Sequence, residues 1–153
     1  MNNQIEILRK LRIFLLAGIG DLSIDELNKI PPGYNNNIVW NLGHLVASQQ
    51  GLCYLRAGLV PAIDENFILA YKSGSKPERF VDNRELEIIK DLLFSSLDQF
   101  EIDLANQAFP QYIAWTTRYG TEVTNINDAL NFLPFHEGLH MGIITSLKRV
   151  VKK

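Results

Sequence analysis

The chain has three histidines, His44, His136 and His140, and two of them are spaced for chemistry. His136 and His140 lie four residues apart in His136-Glu137-Gly138-Leu139-His140. On a helix this spacing puts both rings on one face, a turn apart, a common way to hold one metal ion with two imidazoles. Ala129, Phe132, Leu133, Ile143 and Leu147 fall along the same stripe, so both rings are expected to point into the protein. Steps of three and four from His44 reach Asn37, Trp40, Asn41, Ala47, Ser48 and Gly51. That face is partly polar and rich in small residues, as an open cavity needs. Three neutral imidazoles suit zinc, nickel, iron or copper better than magnesium or calcium. On the residues alone two readings stand: a shared metal ion, or core imidazoles hydrogen-bonded to one another or to backbone.

A fourth ligand is hard to find. Cys53 is nine residues after His44, about two and a half helical turns, and so points away and lies too far along the axis. It reads as a small buried hydrophobe. Asp91 and Asp98 lie off the apolar stripe of their segment, and the inner stripe of the first helix, Ile5, Leu8, Leu11, Leu15 and Ile19, is wholly apolar. The expectation is three protein ligands with one or more positions left to water, which is the catalytic rather than the structural arrangement. The same five residues match H-E-x-x-H, in which Glu137 would be the general base of a zinc protease. No Asp, Glu or His follows His140, so the downstream third ligand of that class is missing and a protease is disfavoured. Glu137 is then expected on the flank of its helix, beside the site at best.

Four segments with helical period must position these residues. The first runs from about Asn3 to Ile19, and the second from about Asn37 to Ala57, with Gly58 as its stop. The third runs from about Asn83 to Ala105, on the stripe Leu86, Ile89, Leu93, Leu97, Phe100 and Leu104. The fourth runs from about Asn127 to Val150. Ser23 and Glu26 form a candidate capping box for a short helical turn, which Pro31, Pro32 and Gly33 end. Leu59 to Asp82 reads as a long connection with room for a short helix, and Phe109 to Val123 as a hairpin or packed loop. Pro134 either kinks the fourth helix or sits in the first turn of a later-starting one. Gly43 and Gly142 are placed for close approach of helices. The predicted fold is all-α: a four-helix bundle with long second-to-third and third-to-fourth connections, forming one domain over residues 1–153.

Composition narrows the function. With 153 residues the chain is long enough for one core. Fifteen Lys and Arg against 17 Asp and Glu give a net charge of −2, without the basic excess of a phosphate-neutralising protein, so nucleic-acid binding is disfavoured. No apolar run approaches the roughly 20 residues of a membrane span, and the first residues do not form a secretory signal. A lone cysteine fits a reducing compartment, so the expected location is cytoplasmic. Lys148, Arg149, Lys152 and Lys153 suit the negative end of a helix dipole.

The order Asn37-Ile38-Val39-Trp40-Asn41-Leu42-Gly43-His44-Leu45, then His136-x-x-x-His140-x-Gly142, resembles the DinB superfamily of metal-binding four-helix bundles. The resemblance extends from the first helix to Arg149. It implies an up-down-down-up bundle, often a homodimer, with zinc or nickel held by residues matching His44, His136 and His140. Characterised relatives include transferases and isomerases that use bacillithiol, mycothiol or glutathione, so a small-molecule substrate, including a low-molecular-weight thiol, is implied. Iron or manganese remain alternative metals. Trp40, Asn41, Ser48 and Glu137 are the candidate supporting or pocket residues, and Tyr112, Trp115 and Tyr119 candidate pocket aromatics. A hydrolase of the same metal chemistry and a non-catalytic metal-binding bundle are the alternatives. Many relatives carry a basic residue and a Gln around the Gly after the last histidine, whereas this chain has Met141 and Ile143 around Gly142.

Overall fold

The computed structural model describes residues 2–152. Its long helices are α1 (Asn3–Ile19), α3 (Ile38–Cys53), α5 (Asn83–Ala105) and α6 (Ile126–Val151). The short helices α2 (Ile24–Asn28) and α4 (Glu65–Tyr71) lie in the connections, as does a hairpin of β1 (Trp115–Thr116) and β2 (Glu122–Val123). Local chemistry explains the starts. Asn2, Asn37, Asp64, Asp82 and Asn125 each cap the helix that follows by accepting backbone N–H groups, and Ser23 and Glu26 form the full capping box of α2.

Side-chain pairs between helices give their directions. Gln4 bonds Asn131, Arg12 bonds Glu137 and Lys148 bonds the Gly18 carbonyl, so α1 and α6 run parallel. Gln49 meets Ser96 and Tyr54 meets Asp103, so α3 and α5 are also parallel. Arg9 reaches Glu101 while Arg12 reaches the Leu93 carbonyl, which makes α1 and α5 antiparallel. His140 meets Asn41 while His136 meets His44, and α3 and α6 are antiparallel too. The bundle is therefore up-down-down-up, with α1 and α3 each packed on both α5 and α6.

The apolar interior divides in two. Leu15 and Ile19, the first half of α3, Leu86 to Leu93 and Ile144 to Val151 form one cluster. Ile5 and Leu8, Cys53, Leu97 and Phe100, and Ala129 to Leu133 belong to the other. Between them, in the sequence of every long helix, stands buried polar character: Arg12 in α1, Gln49 and Gln50 in α3, Ser96 in α5 and Glu137 in α6.

Two expectations need correction here, and one of the two readings of Pro134 falls away. The inner stripe of α1 is not wholly apolar: Arg12, fully buried, takes the place assigned to Leu11, because steps of three and four along Leu8, Arg12, Leu15 and Ile19 fit the core side better. The second helix does not reach Ala57 as an α-helix. It ends at Cys53 and tightens into a 3₁₀ turn over Leu55–Ala57, which Gly58 closes with φ of 73°. Proline does not delay the fourth helix, since Pro134 lies well inside α6. Among the described residues no helix is long and apolar enough to cross a membrane.

Candidate metal centre

His44 is brought to the α3–α6 interface from α3, and His136 and His140 from α6. Their ring centroids form a near-equilateral triangle: 5.2 Å for His44 to His136, 4.5 Å for His44 to His140 and 4.6 Å for His136 to His140. One candidate ligand atom from each lies within 4.8 Å of the other two. An ion bound tetrahedrally at about 2.0–2.1 Å would hold nitrogens about 3.3 Å apart, so small ring movements suffice.

The rings are held from behind. His44 Nδ1 lies 2.8 Å from the Tyr71 carbonyl oxygen, and His140 Nδ1 lies 2.8 Å from Asn41 Oδ1. Both oxygens only accept, so each Nδ1 carries the proton and each Nε2 keeps its lone pair. Asn41 is itself fixed, because its Nδ2 donates to the Asn37 carbonyl and to Asn36 Oδ1. Trp40 stacks on His44 at 4.6 Å and 13° and anchors its indole N–H on Ser75. The Ser48 hydroxyl lies 3.1 Å from His44 Nε2. His136 Nδ1 is buried and has no hydrogen-bond partner among the described residues.

Electrostatics favours the ligating form of all three rings. Burial lowers the pKa of His44, partly opposed by the Tyr71 carbonyl. Burial first, and then the neighbouring imidazoles and Arg118, depress His136 to about 3. Burial and His44 depress His140 to about 4. Neutral, preoriented imidazoles with one orphaned nitrogen among them fit a divalent transition metal. Among the described residues no Cys, Asp or Glu joins the cluster. Cys53 is wholly buried in the other apolar cluster, where burial pushes its thiol far above the ordinary range.

Two placements differ from expectation. Ile143 is exposed, and the buried stripe of α6 runs through Leu130, Leu133, Glu137, Ile144 and Leu147. The two histidines are half-buried on the border of that stripe rather than at its centre. Glu137 is correspondingly not on the flank. It is 3% exposed and turned away to Arg12, whose Nε lies 2.9 Å from Glu137 Oε1. Glu137 Oε2 has no partner among the described residues, and burial raises the pKa of this carboxyl against the opposing effect of Arg12.

The small residues also divide. A Cβ on Gly43 would come within 2.5 Å of the Tyr71 ring, so the glycine permits the approach of α4 that delivers the Tyr71 carbonyl to His44. A Cβ on Gly142 would meet nothing within 4 Å, so no helix approaches closely there. The sequence reading missed Arg12 and Tyr71. Tyr71 had a signal, since Asp64 can cap a helix on which Phe67, Ile68 and Tyr71 share a face.

The candidate pocket aromatics stand further out. Tyr112 donates its hydroxyl hydrogen to the Leu52 carbonyl, and Trp115 packs edge-on against Phe132. Tyr119 packs edge-on against Phe135. Phe132 in turn lies 6.1 Å from His136. It also lines an open cleft of about 350 Å³ with Tyr119, Glu122, Asp128 and Phe135. The trio thus reaches the histidines through Phe132 rather than directly.

The molecule so defined is an up-down-down-up helical bundle with a tri-histidine cluster between two antiparallel helices. The family model of the DinB superfamily matches residues 8–144, and the chain belongs to that superfamily. A search of curated proteins finds no match.

Proposed function

We propose that the chain is a divalent-metal-dependent DinB-type protein acting on a small molecule, as a thiol transferase or a hydrolase. The observation that carries this reading is the convergence of three neutral, preoriented imidazoles with no fourth side-chain ligand among the described residues. A site closed by three protein ligands leaves a coordination position for water or substrate. His44, His136 and His140 would hold the ion, with zinc or nickel preferred and iron or manganese as alternatives. When bound, such an ion supplies Lewis acidity and lowers the pKa of a coordinated water or thiol towards neutrality. Asn41 and the Tyr71 carbonyl keep His140 and His44 in the ligating tautomer. Trp40 screens one face of His44 from water, and Ser48 offers a hydroxyl at the rim.

The cleft beside Phe132 supports a small-molecule substrate. Its volume of about 350 Å³ falls in the range of ligand sites, and its rings would take the apolar body of the substrate. A homodimer and a cytosolic location belong to the same reading. The exposed apolar residues Phe135, Leu139, Ile143 and Val150 along α6 support a second copy as partner.

Metal analysis tests the proposal. Tag-free wild-type protein should carry near-stoichiometric zinc or nickel, and His140→Ala should lose it. No uptake after reconstitution with zinc, nickel, iron and manganese would overturn the metal reading. Metal uptake without turnover in a thiol-transfer and ester-hydrolysis screen would favour a non-catalytic bundle.

A further inference from the structure

The buried ion pair between Arg12 and Glu137 has no place in the chemistry above, yet Glu137 sits between the two histidines of α6. Arg12 is 0% and Glu137 3% exposed. Arg12 touches all three other long helices. Its Nε and Nη2 donate to Glu137 Oε1 on α6. Its Nη2 also donates to Gln49 Oε1 on α3 at 3.0 Å, and its Nη1 to the Leu93 carbonyl on α5 at 2.6 Å. Gln49 closes the layer by donating to the Ser96 carbonyl at 3.0 Å.

We propose that Arg12 and Glu137 are positioning residues for the metal centre: by fixing the rotation of α6 they aim His136 and His140 at His44. The proposal rests on the metal reading above and deepens it. Helix geometry supplies the argument. At about 100° per residue, His140 lies about 40° and Glu137 about 100° round the axis from His136. All three therefore turn together. An imidazole nitrogen stands roughly 6–7 Å from the axis, so a 30° rotation carries it about 3 Å, whereas metal–ligand distances tolerate about 0.2 Å.

The hydrophobic effect is non-directional, so burial of apolar area does not by itself single out one rotation of α6. A guanidinium held by several directional bonds does single one out, because any turn of α6 that withdraws Glu137 leaves a buried cation uncompensated. The need is greatest at this point of the chain. Pro134, two residues before His136, lacks the N–H that would bond the Leu130 carbonyl, which weakens α6 where the ligands begin. The other side-chain ties between α1 and α6 and their flanks, Gln4 with Asn131, Lys148 with the Gly18 carbonyl, and Asp21 just past α1 with Lys148 and Lys152, are exposed and lie towards the helix ends.

The decisive variant is the double substitution Arg12→Met, Glu137→Met, which removes both charges while keeping bulk. Replacing a buried ion pair by hydrophobic residues is often neutral for stability. Three quantities should be read: the thermal midpoint, the ring nitrogens of the histidines in metal-free protein by long-range ¹H–¹⁵N correlation, and zinc affinity by chelator competition. The expected result is a folded protein whose His136 and His140 ring signals move and whose zinc affinity falls about tenfold or more.

Wild-type ring signals together with wild-type zinc affinity in the folded double variant would overturn the proposal. Should the double variant not fold, Arg12→Lys keeps the charge and loses the fork, and the same two readouts decide. Wild-type protein that takes up none of zinc, nickel, iron and manganese would refute the metal reading. The ring-nitrogen comparison would still decide whether the ion pair sets the orientation of the rings.

Discussion

Replacing Asn41 by Leu tests the support of the centre directly. The two side chains share a branched shape, and Asn41 is wholly buried. The substitution removes the acceptor 2.8 Å from His140 Nδ1 and the two bonds donated by Asn41 Nδ2. The Asn37 carbonyl still accepts the Asn41 backbone N–H, and Asn36 Oδ1 is within reach of water. Only His140 Nδ1 is left wanting, at a cost of about 1–2 kcal/mol to the metal-free fold. For a chain of this size that is a fall of roughly 2–8 °C in Tm. The larger effect is on the metal. Losing the outer partner of a ligating histidine typically costs 10- to 100-fold in affinity, or about 1.4–2.8 kcal/mol. Zinc competition with a chromophoric chelator, at matched pH, reads that number. Zinc affinity within twofold of wild type would refute the assignment of Asn41 as the residue that orients His140.

Three further outcomes follow from the geometry. Gly43→Ala should cost about 1–3 kcal/mol by overpacking against Tyr71 and should weaken zinc binding by shifting the carbonyl behind His44, both read from melts and competition; a wild-type Tm would show that Tyr71 yields freely. Cys53, buried and with its thiol pushed far up, should resist a disulfide reagent at pH 8 in native protein and react on unfolding; rapid native labelling would contradict its burial. Asp21 is held at about 2 by Lys152 and then Lys148, below its unfolded value near 4, so its contribution is present above about pH 4 and lost as pH falls towards 2. Asp21→Asn should therefore flatten the acid limb of the melting curve slightly, since the pair is exposed, and an unchanged limb would count against it.

The legible part of this molecule is the part written in periodicity and caps. The third long helix, with Asp82 before it and six apolar residues on one stripe, is found over its full span, Asn83–Ala105. The histidine cluster is legible for a related reason: residues four apart on a helix share a face whatever lies opposite. Rotation was not legible. Counting placed Ile143 and the histidines on one inward stripe, but Glu137, a charged residue, occupies the core position because Arg12 waits opposite it. Neither residue alone suggests burial, and only their pairing across two helices makes it tolerable. The carbonyl behind His44 escaped for a different cause. Main-chain atoms carry no residue type, so Tyr71 could be assigned this role only once Gly43 was seen to admit α4.

The parallel pairing of α1 with α6 and of α3 with α5 also bears on how the chain is made. His44 and His136 are separated by 92 positions, and α1 packs chiefly against the last two long helices. During synthesis α1 and α3 emerge long before α6, and the three imidazoles cannot meet until α6 has left the ribosome. Closing so long a loop is slow, though the entropic cost grows only with the logarithm of its length. An ion loaded at this site would therefore report that α6 has docked on α3. A chain lacking α6 would present one histidine and, in Arg12, a cation without its carboxylate partner.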